Sequence, residues 1–313
     1  MADMATREAY GKALAEVGAD SKVVVLDADL AGSTKTGDFK KVYPERFFDM
    51  GIAEGNMVTT AAGISTCGKT VFCSSFAMFA SERACEQVRN SVCYPNLNVK
   101  VCATHAGLTV GEDGASHQCL EDLAIMRTFP NITVLCPSDA AQTRMAIKAA
   151  AENYGPYYIR LGRMKVASVY GEFGEDVPFE IGKANQLKDG KDLTIIACGM
   201  MVQEALEAAE ILKGKGIEAR VIDMFCIKPV DRAAVIAAAK ETGLIVTAEE
   251  HMINGGLGGA VSEVVCEEAP CKVVRFGVND QFGQSGTPKA LLEAYKLTSA
   301  DLAETCEKAF ANK

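Results

Sequence analysis

Apolar and polar positions alternate in blocks along the first half of the chain. Alanine-rich stretches predict helices at 57–62, 81–91 and 140–151. Short, almost fully apolar runs rich in β-branched residues predict buried strands at 23–26, 99–103, 133–135 and 157–161. Apolar strands that alternate with helices indicate a parallel sheet covered on both faces. We therefore predict a first α/β domain over residues 1–165.

The pattern changes after residue 165. Residues 166–190 are polar, acidic and rich in glycine, without a long helical pattern, and they predict a linker. A second alternating series follows, with strands predicted at 193–198, 219–222, 244–248 and 272–276. Its helices are predicted at 202–213, at 232–240 and after Gly258. Residues 191–313 are thus predicted to form a second, smaller α/β domain.

Composition and charge restrict the class of protein. The 313 residues are 49% hydrophobic and 23% charged, as in soluble globular proteins. The formal net charge of −9 argues against a sequence-independent grip on nucleic acid, because such a grip relies on Lys and Arg. No apolar run reaches membrane-spanning length, and the N-terminus has no apolar signal core. We expect a cytoplasmic protein that has neither a membrane nor a nucleic acid as partner.

The 12 cysteines are scattered through predicted strands and helices without CxxC spacing. We expect buried thiols rather than a disulfide framework, because the chain also lacks a secretion signal. Cys266 and Cys271 come closest to a pair, but their spacing has no metal-ligand pattern and the chain has only three histidines. No metal site is expected on this chain.

Two segments of the first domain combine a candidate group with a structural alternative. GIAEGNM (residues 51–57) places Glu54 where an extended segment meets a helix. A carboxylate there often serves only the helix dipole, and the local sequence alone favours that role. SFAMF (residues 75–79) contains Phe76 and Phe79, which are spaced as core residues. If the two rings instead line a cleft, they are suited to hold the flat face of a heteroaromatic ring.

A third segment, THAGLTVGEDGASHQ (residues 104–118), directly follows the predicted strand 99–103. It carries His105 and His117 beside two acids and several glycines. Open α/β sheets bind ligands at the carboxyl ends of their strands, where glycine lets the backbone approach closely and histidine donates protons or binds oxygens. A structural role for the histidines is one alternative. Metal ligation is another, although no third ligand is evident nearby.

Taken in chain order, these segments closely resemble transketolase, in the C-terminal section that many prokaryotes carry as a separate polypeptide. The resemblance covers essentially the whole chain. It includes YIRLGR (158–163) in the first domain, and IKPVD (227–231) and EEHMINGG (249–256) in the second. It implies an α/β fold of two domains: a thiamine-diphosphate-binding domain of pyrimidine type with a parallel sheet, followed by a smaller transketolase C-terminal α/β domain.

By this resemblance, Glu54 is the catalytic glutamate beside the pyrimidine of thiamine diphosphate. It would promote the imino tautomer through a carboxyl that keeps its proton at neutral pH, and burial favours such a carboxyl. Phe76 and Phe79 resemble the pyrimidine-stacking pocket of the family, and Asp29 matches a contact on the cofactor side. Gly55 departs from the family pattern, in which most relatives carry Gln, and its effect is open.

The resemblance also implies substrate-binding residues. His105 matches the family histidine near the sugar phosphate and is a catalytic candidate. Asp113 and His117 match residues that contact donor hydroxyls and help to move protons, which makes His117 a second catalytic candidate. Phosphate contacts at the far end of the substrate channel are matched by three residues: Arg7, Ser33 and Arg163.

The implied reaction moves a two-carbon ketol unit from a ketose phosphate, xylulose 5-phosphate, to an aldose phosphate, ribose 5-phosphate, in the pentose phosphate pathway. The family binds diphosphate and Mg²⁺ through a GDG segment followed by Asn, and the 313 residues contain no GDG. We therefore expect thiamine diphosphate and Mg²⁺ as cofactors, with the metal ligands on a separate transketolase N-terminal subunit. The expected assembly is α2β2.

Other interpretations share this architecture. The beta subunit of a 2-oxoacid dehydrogenase would need a lipoyl-protein partner, whereas the third segment together with Arg163 favours a phosphorylated sugar. A 1-deoxyxylulose-5-phosphate synthase-like enzyme is normally one longer chain. A non-catalytic scaffold would not be expected to retain four site residues together: Glu54, His105, Asp113 and Arg163. His251, in the second domain, is interpreted as structural.

Overall fold

The apolar runs of the sequence form the central strands of two sheets in the computed structural model, which describes residues 3–313. In chain order the strands are β1 (Met4–Ala5), β2 (Val23–Asp27), β3 (Phe47–Asp49), β4 (Thr70–Phe76), β5 (Val99–Thr104), β6 (Thr133–Leu135), β7 (Tyr157–Arg160), β8 (Lys165–Val166), β9 (Asn185–Lys188), β10 (Leu193–Ala197), β11 (Ala219–Asp223), β12 (Cys226–Lys228), β13 (Leu244–Met252) and β14 (Lys272–Val278).

Both sheets are mostly parallel. The first has seven strands in the order β12-β6-β7-β5-β4-β2-β3, and only β12, at its edge, runs antiparallel. The second has five strands in the order β14-β13-β10-β11-β9, and only β9 runs antiparallel. The predicted two-domain α/β fold is confirmed. Because β12 follows β11 in the chain but pairs with β6, the second domain contributes an edge strand to the first sheet.

Helices cover the faces of the sheets. In chain order they are α1 (Thr6–Val17), α2 (Ala31–Thr34), α3 (Gly37–Val42), α4 (Glu54–Ser65), α5 (Cys85–Gln87), α6 (Asp122–Arg127), α7 (Ala140–Glu152), α8 (Met201–Gly214), α9 (Arg232–Thr242), α10 (Leu257–Glu268), α11 (Pro288–Ala294) and α12 (Ser299–Ala311). The predicted helices at 57–62, 140–151, 202–213 and 232–240 lie inside α4, α7, α8 and α9. Across residues 3–313, none of the helices combines the length and apolar character needed to cross a membrane.

The predicted helix at 81–91 differs from the structure. Met78–Arg83 and Val88–Cys93 are π-helical, and the single turn α5 lies between them. A π-helical turn contains an extra residue and is frequent at functional sites. A periodic apolar pattern does not distinguish this wider turn from an α-helix. The helix expected after Gly258 also differs slightly, because α10 begins at Leu257.

Most of the cysteines are buried thiols, as predicted. All 12 are free and eight of them are buried. The prediction is wrong for Cys67 and Cys266, which are exposed. Cys67 lies in the turn after α4, and Cys266 is on the outward face of α10, so neither position packs against a sheet.

A buried guanidinium joins the two domains at the carboxyl end of β7. Arg160 Nε donates to Asp122 Oδ2 at 2.9 Å, and the Tyr158 hydroxyl donates to the same oxygen at 2.8 Å. Arg160 Nη2 donates to the backbone oxygen of Glu250, in β13, at 2.8 Å. The guanidinium therefore links the first sheet, helix α6 and the second sheet.

Asp122→Ala is expected to lower the free energy of unfolding by about 3–5 kcal/mol, because it leaves the Arg160 charge buried without a partner. Urea unfolding followed by circular dichroism measures the loss. Asp38→Ala is the control: its ion pair with Lys41 is solvent-exposed, and its removal is expected to cost at most about 1 kcal/mol. Equal losses in the two variants would show that the buried Asp122–Arg160 pair stabilises the fold no more than an exposed pair does.

Candidate active site

The predicted site residues gather at one edge of the first sheet. β2, β4, β5 and β7 are parallel, so their carboxyl ends lie at the same edge. Each of these strands ends at or just before predicted residues: Asp29 and Ser33 for β2, Phe76 and Phe79 for β4, His105 for β5, and Arg163 for β7. This is the edge at which open α/β sheets bind ligands.

Glu54 begins helix α4 and turns its carboxylate into the protein. Its side chain is 2% exposed, and its two oxygens accept hydrogen bonds from Nη1 of Arg83 at 3.1 and 3.2 Å. The carboxylate is therefore held in an ion pair, in addition to its place in the first helical turn. The next residue, Gly55, leaves room for Gln87, since a Cβ at this position would lie 3.3 Å from Gln87 Oε1.

Arg83 is a site residue that the sequence pattern does not reveal. It ends the π-helical turn Met78–Arg83, and its Cζ lies 4.4 Å from the ring centroid of Phe79. Its side chain is 53% exposed. Arg83 thus occupies both oxygens of the buried Glu54 carboxylate in this structure.

Phe76 and Phe79 form one aromatic layer with the two histidines. The ring centroids of the phenylalanine pair are 6.0 Å apart, with 15° between the ring planes. His105 stacks on Phe76 at 3.8 Å, and His117 meets Phe79 edge-on at 5.4 Å. Phe76 is buried and Phe79 is partly exposed. Phe79 is therefore the ring of this pair with more surface open to a ligand, and Phe76 supports His105.

His105 has a left-handed backbone, with φ +58°, a conformation that non-glycine residues rarely adopt and that clusters at functional sites. Arg7 Nη1 lies 3.2 Å from its Nε2, and Thr104 Oγ1 lies 2.9 Å from its Nδ1. Since arginine only donates, Nε2 accepts and the ring proton sits on Nδ1. Burial, together with the charges of Arg7 and Arg163, lowers the pKa of His105 to about 3. The ring is neutral at physiological pH.

Lys35 adds positive charge beside Arg7. Arg7 Nη1 donates to the backbone oxygen of Ser33 at 2.9 Å, and Lys35 lies two residues further along the chain. Lys35 packs on α1, because a Cβ at Gly11 would lie 2.6 Å from Lys35 Cβ, and Gly11 is one helical turn after Arg7. The charge of Lys35 contributes to the lowered pKa of His105. No sequence motif included Lys35, so only the packing of α1 reveals it.

Arg163 ties the end of β7 to the His105 loop, which we define as residues 105–118. Its Nη1 donates to the backbone oxygen of Val110 and lies 3.6 Å from both Glu112 Oε2 and Asp113 Oδ2. Both acids are exposed. An anionic ligand at this position would compete with the two carboxylates for the Arg163 guanidinium.

Asp29 is a predicted site residue that, in the part of the chain that the structure describes, makes none of the side-chain contacts reported above. Its backbone is left-handed, with φ +63°, and its N–H donates to Asp49 Oδ1 at 3.1 Å. It is exposed just beyond the carboxyl end of β2. Its role as a contact on the cofactor side stays a prediction.

The residues at this edge fit the pyrimidine end of thiamine diphosphate. An aminopyrimidine requires an acid at its ring nitrogen and a flat apolar surface, and Glu54 and Phe79 provide these groups. The diphosphate end requires Mg²⁺ and oxygen ligands. In residues 3–313, three His, Cys, Asp or Glu side chains bring their ligand atoms within 4.8 Å of one another only at Glu82, Cys119 and Glu121. Burial raises the pKa of the Cys119 thiol, and a protonated thiol is a poor metal ligand.

Known domain families cover most of the chain. Residues 2–168 match the pyrimidine-binding domain of transketolase, and residues 182–302 match the transketolase C-terminal domain. The chain is thus a two-domain α/β protein whose first domain is of the pyrimidine-binding type. The chain belongs to the transketolase family, which confirms the resemblance drawn from its motifs.

Individual relatives agree with this assignment. A Methanocaldococcus jannaschii protein provisionally named transketolase C-terminal section is 52% identical, and the alignment covers 95% of this chain and 94% of that protein. Human transketolase is 41% identical over 96% of this chain, which spans only 48% of the human protein. A solved structure described as a split gene transketolase, inactive beta4 tetramer, is 55% identical, with a TM-score of 0.90 and 99% of both chains covered.

His105→Asn is expected to make the free energy of unfolding less dependent on pH below neutrality. The unfolded chain takes up a proton at His105 near pH 6.5, and the folded chain does so only near pH 3. The stability that depends on the neutral ring is complete above about pH 6.5 and is lost as the pH falls towards 3. Asn tolerates the left-handed backbone and does not titrate.

Urea unfolding at pH 7 and pH 5 tests this expectation. The wild-type chain should lose about 2 kcal/mol more than His105→Asn between these two pH values. His117→Asn is the matched control, because His117 is only partly buried. Identical pH dependence in the wild type and His105→Asn would contradict a neutral, buried His105.

Proposed function

We propose that this chain is one subunit of a thiamine-diphosphate-dependent transketolase, which moves a two-carbon ketol unit from xylulose 5-phosphate to ribose 5-phosphate in the pentose phosphate pathway. One observation carries the proposal: an unbroken path of contacts at one edge of the first sheet. The path runs through Glu54, Arg83, Phe79, Phe76, His105 and Arg7. It has an acid for the cofactor at one end and a cation for a phosphate at the other.

At the cofactor end, bound thiamine diphosphate supplies the nucleophilic carbon of the reaction. Glu54 would hydrogen-bond the aminopyrimidine, and Phe76 and Phe79 would hold the flat face of its ring. The Glu54 carboxyl can reach the pyrimidine only when its ion pair with Arg83 opens, because Arg83 lies against both of its oxygens. Arg83 is half-exposed, so it has room to turn towards solvent when a ligand or partner chain reaches Glu54.

At the substrate end, Arg7 and Arg163 are proposed to bind the phosphate, with Lys35 as a third cation. A guanidinium presents two parallel N–H groups that suit phosphate oxygens. His105 is neutral, so it contributes hydrogen bonds without adding charge. A phosphate that takes over Arg7 would free His105 Nε2 to accept a proton from a substrate hydroxyl.

The remaining predicted residues belong to the His105 loop. His117 lies edge-on to Phe79, between the aromatic layer and solvent. Asp113 lies 3.6 Å from Arg163 and is exposed. We propose that both contact hydroxyls of the donor sugar and that His117 also moves a proton.

A separate polypeptide is proposed to complete the site. The residues of this chain fit the pyrimidine end of the cofactor, and GDG does not occur among the 313 residues. Three relatives aligned over at least 90% of their length are named as a C-terminal section or as subunits of transketolases. We propose that a transketolase N-terminal subunit supplies the diphosphate and Mg²⁺ ligands, in an α2β2 assembly.

A different donor sugar is the second candidate. The chain is 42% identical to a 6-deoxy-6-sulfo-D-fructose transketolase subunit of a Clostridium species and 40% identical to an apulose-4-phosphate transketolase subunit of Phocaeicola vulgatus. Sulfonates and phosphates are both anions that arginine binds, so Arg7 and Arg163 are compatible with either donor. Assays with all three donors rank them by kcat/KM.

Glu54→Gln is expected to abolish transfer in the assembled enzyme, with kcat at least about 100-fold lower, because Gln cannot donate the carboxyl proton. The assay mixes this chain with the polypeptide that carries the GDG segment and follows transfer from xylulose 5-phosphate to ribose 5-phosphate with thiamine diphosphate and Mg²⁺. Glu152→Gln, at the amino-end edge of the sheet, is the matched control and should retain full activity.

The mixture should be active when neither chain alone is active. A well-formed complex that binds thiamine diphosphate but transfers no ketol unit from any of the three donors would refute the proposed function. Full activity of Glu54→Gln would leave the reaction in place and refute the role of this residue.

Arg7→Ala is expected to raise KM for phosphorylated acceptors by about 10- to 100-fold, because it removes a charge-assisted hydrogen bond to the phosphate. KM for the unphosphorylated acceptor glycolaldehyde should change by less than about twofold. Arg144→Ala is the control, since Arg144 pairs with Glu16 on the outer surface. Equal effects on both kinds of acceptor would place Arg7 outside the phosphate site.

A further inference from the structure

Three consecutive polar residues in β13 have three different roles. Glu249 accepts hydrogen bonds from the backbone N–H groups of Leu257 and Gly258, both at 2.8 Å, and so binds the first turn of α10 within its own domain. His251 is buried, and its Nδ1 lies 2.7 Å from the backbone oxygen of Met252, as in a structural histidine. Glu250, between them, points towards the first domain, where its carboxylate contacts Thr109.

Glu250 binds the His105 loop directly. Its Oε1 accepts a hydrogen bond from the backbone N–H of Thr109 at 2.6 Å. Its carboxylate also lies against Gly107: a Cβ at that position would be 2.3 Å from Glu250 Cδ. Gly107 has φ +84°, a conformation that favours glycine, so both its backbone and its missing side chain are needed for this contact.

Burying the Glu250 carboxyl is costly, and its hydrogen bond to Thr109 explains why a carboxylate occupies this position. Glu250 is 4% exposed, and the nearby Arg160 uses its Nε on Asp122 and its Nη2 on the backbone oxygen of Glu250. A buried carboxyl without a charged partner on its oxygens is expensive to retain. Burial raises the pKa of Glu250, and Arg160 opposes this. An apolar residue would fill the same volume at lower cost but would leave the Thr109 N–H unsatisfied.

Two further contacts hold the same loop from the second domain. Gln118 Nε2 donates to the backbone oxygen of Gln284 at 2.9 Å. Ser285 Oγ donates to the backbone oxygen of Glu112 at 2.6 Å, near the exposed end of the loop. Glu250 is the contact nearest His105 and is buried, so it controls the part of the loop that reaches the aromatic layer.

We propose that Glu250 is a positioning residue, which sets the His105 loop in the conformation that presents His105 and Asp113 to the sugar phosphate. The consequence for substrate rests on the proposed function. The positioning itself does not, and it is measurable on this chain without any partner.

Hydrogen–deuterium exchange on the isolated chain tests the positioning. In Glu250→Ala, protection of the Thr109 amide and its neighbours in the loop should fall by about 10- to 100-fold, as expected for the loss of a hydrogen bond to a carboxylate. Glu250→Gln keeps an oxygen acceptor and should restore most of the protection. Gly107→Ala keeps Glu250 but displaces its carboxylate, and it should expose the same amides if Glu250→Ala fails to fold.

Glu249→Ala is the matched control, because it removes an equally buried neighbouring carboxylate that contacts α10 and not the loop. It should expose amides of α10 and leave those of the His105 loop protected. Loop protection that falls equally in Glu249→Ala and Glu250→Ala would indicate general loosening of β13. Unchanged loop protection in both Glu250→Ala and Gly107→Ala would also overturn the proposal.

Kinetics of the assembled enzyme test the consequence. Glu250→Ala should raise KM for both sugar phosphates by about tenfold, Glu250→Gln should restore it, and the thiamine diphosphate concentration for half-maximal activity should stay within about twofold. A loss of stability with unchanged KM would make Glu250 merely structural. Loop exchange that responds as expected in a chain whose complex has no transketolase activity would refute the proposed function and leave the positioning role established.

Discussion

A single buried guanidinium holds the two domains and the His105 loop in place relative to one another. Arg160 lies at the carboxyl end of β7, pairs with Asp122, and also donates to the backbone oxygens of Cys119 and Glu250. Cys119 follows the His105 loop directly, and Glu250 lies in the second sheet. An unpaired buried charge is so unfavourable that these partners must be in place together. The exit of the loop and the position of β13 are therefore coupled through one side chain.

Burial and nearby positive charge together determine the protonation state of His105. Burial and the cations Arg7, Arg163 and Lys35 hold the ring neutral, with its proton on Nδ1 beside Thr104. A phosphate that binds among these cations brings negative charge close to the ring, and this raises the pKa of His105 towards its ordinary value. At the proposed phosphate site, proton uptake by His105 would therefore depend in part on a bound anion, which would offset the cations but not the burial of the ring.

Features that depend on local sequence pattern were predicted correctly. Contacts between residues that are distant in the chain were not. Apolar runs located the strands of both sheets, and motifs identified the loops at the carboxyl ends of those strands. The pairing of Glu54 with Arg83 joins residues 29 positions apart through a π-helical turn that periodicity does not detect. Lys35 reaches the site because Gly11 lets its backbone pack on α1. Both were missed for the same reason: their neighbours are set by tertiary packing.

The second domain acquires a role at the site from one irregular stretch of a single strand. Glu249 and Glu250 are chemically identical neighbours, yet one binds the first turn of α10 and the other binds Thr109. Both lie where the register of β13 against β14 shifts, between Ala248 and Met252. Such an irregularity re-aims side chains, so its position along β13 determines which carboxylate meets Gly107. The conformation of a loop in the first domain depends in this way on strand geometry in the second.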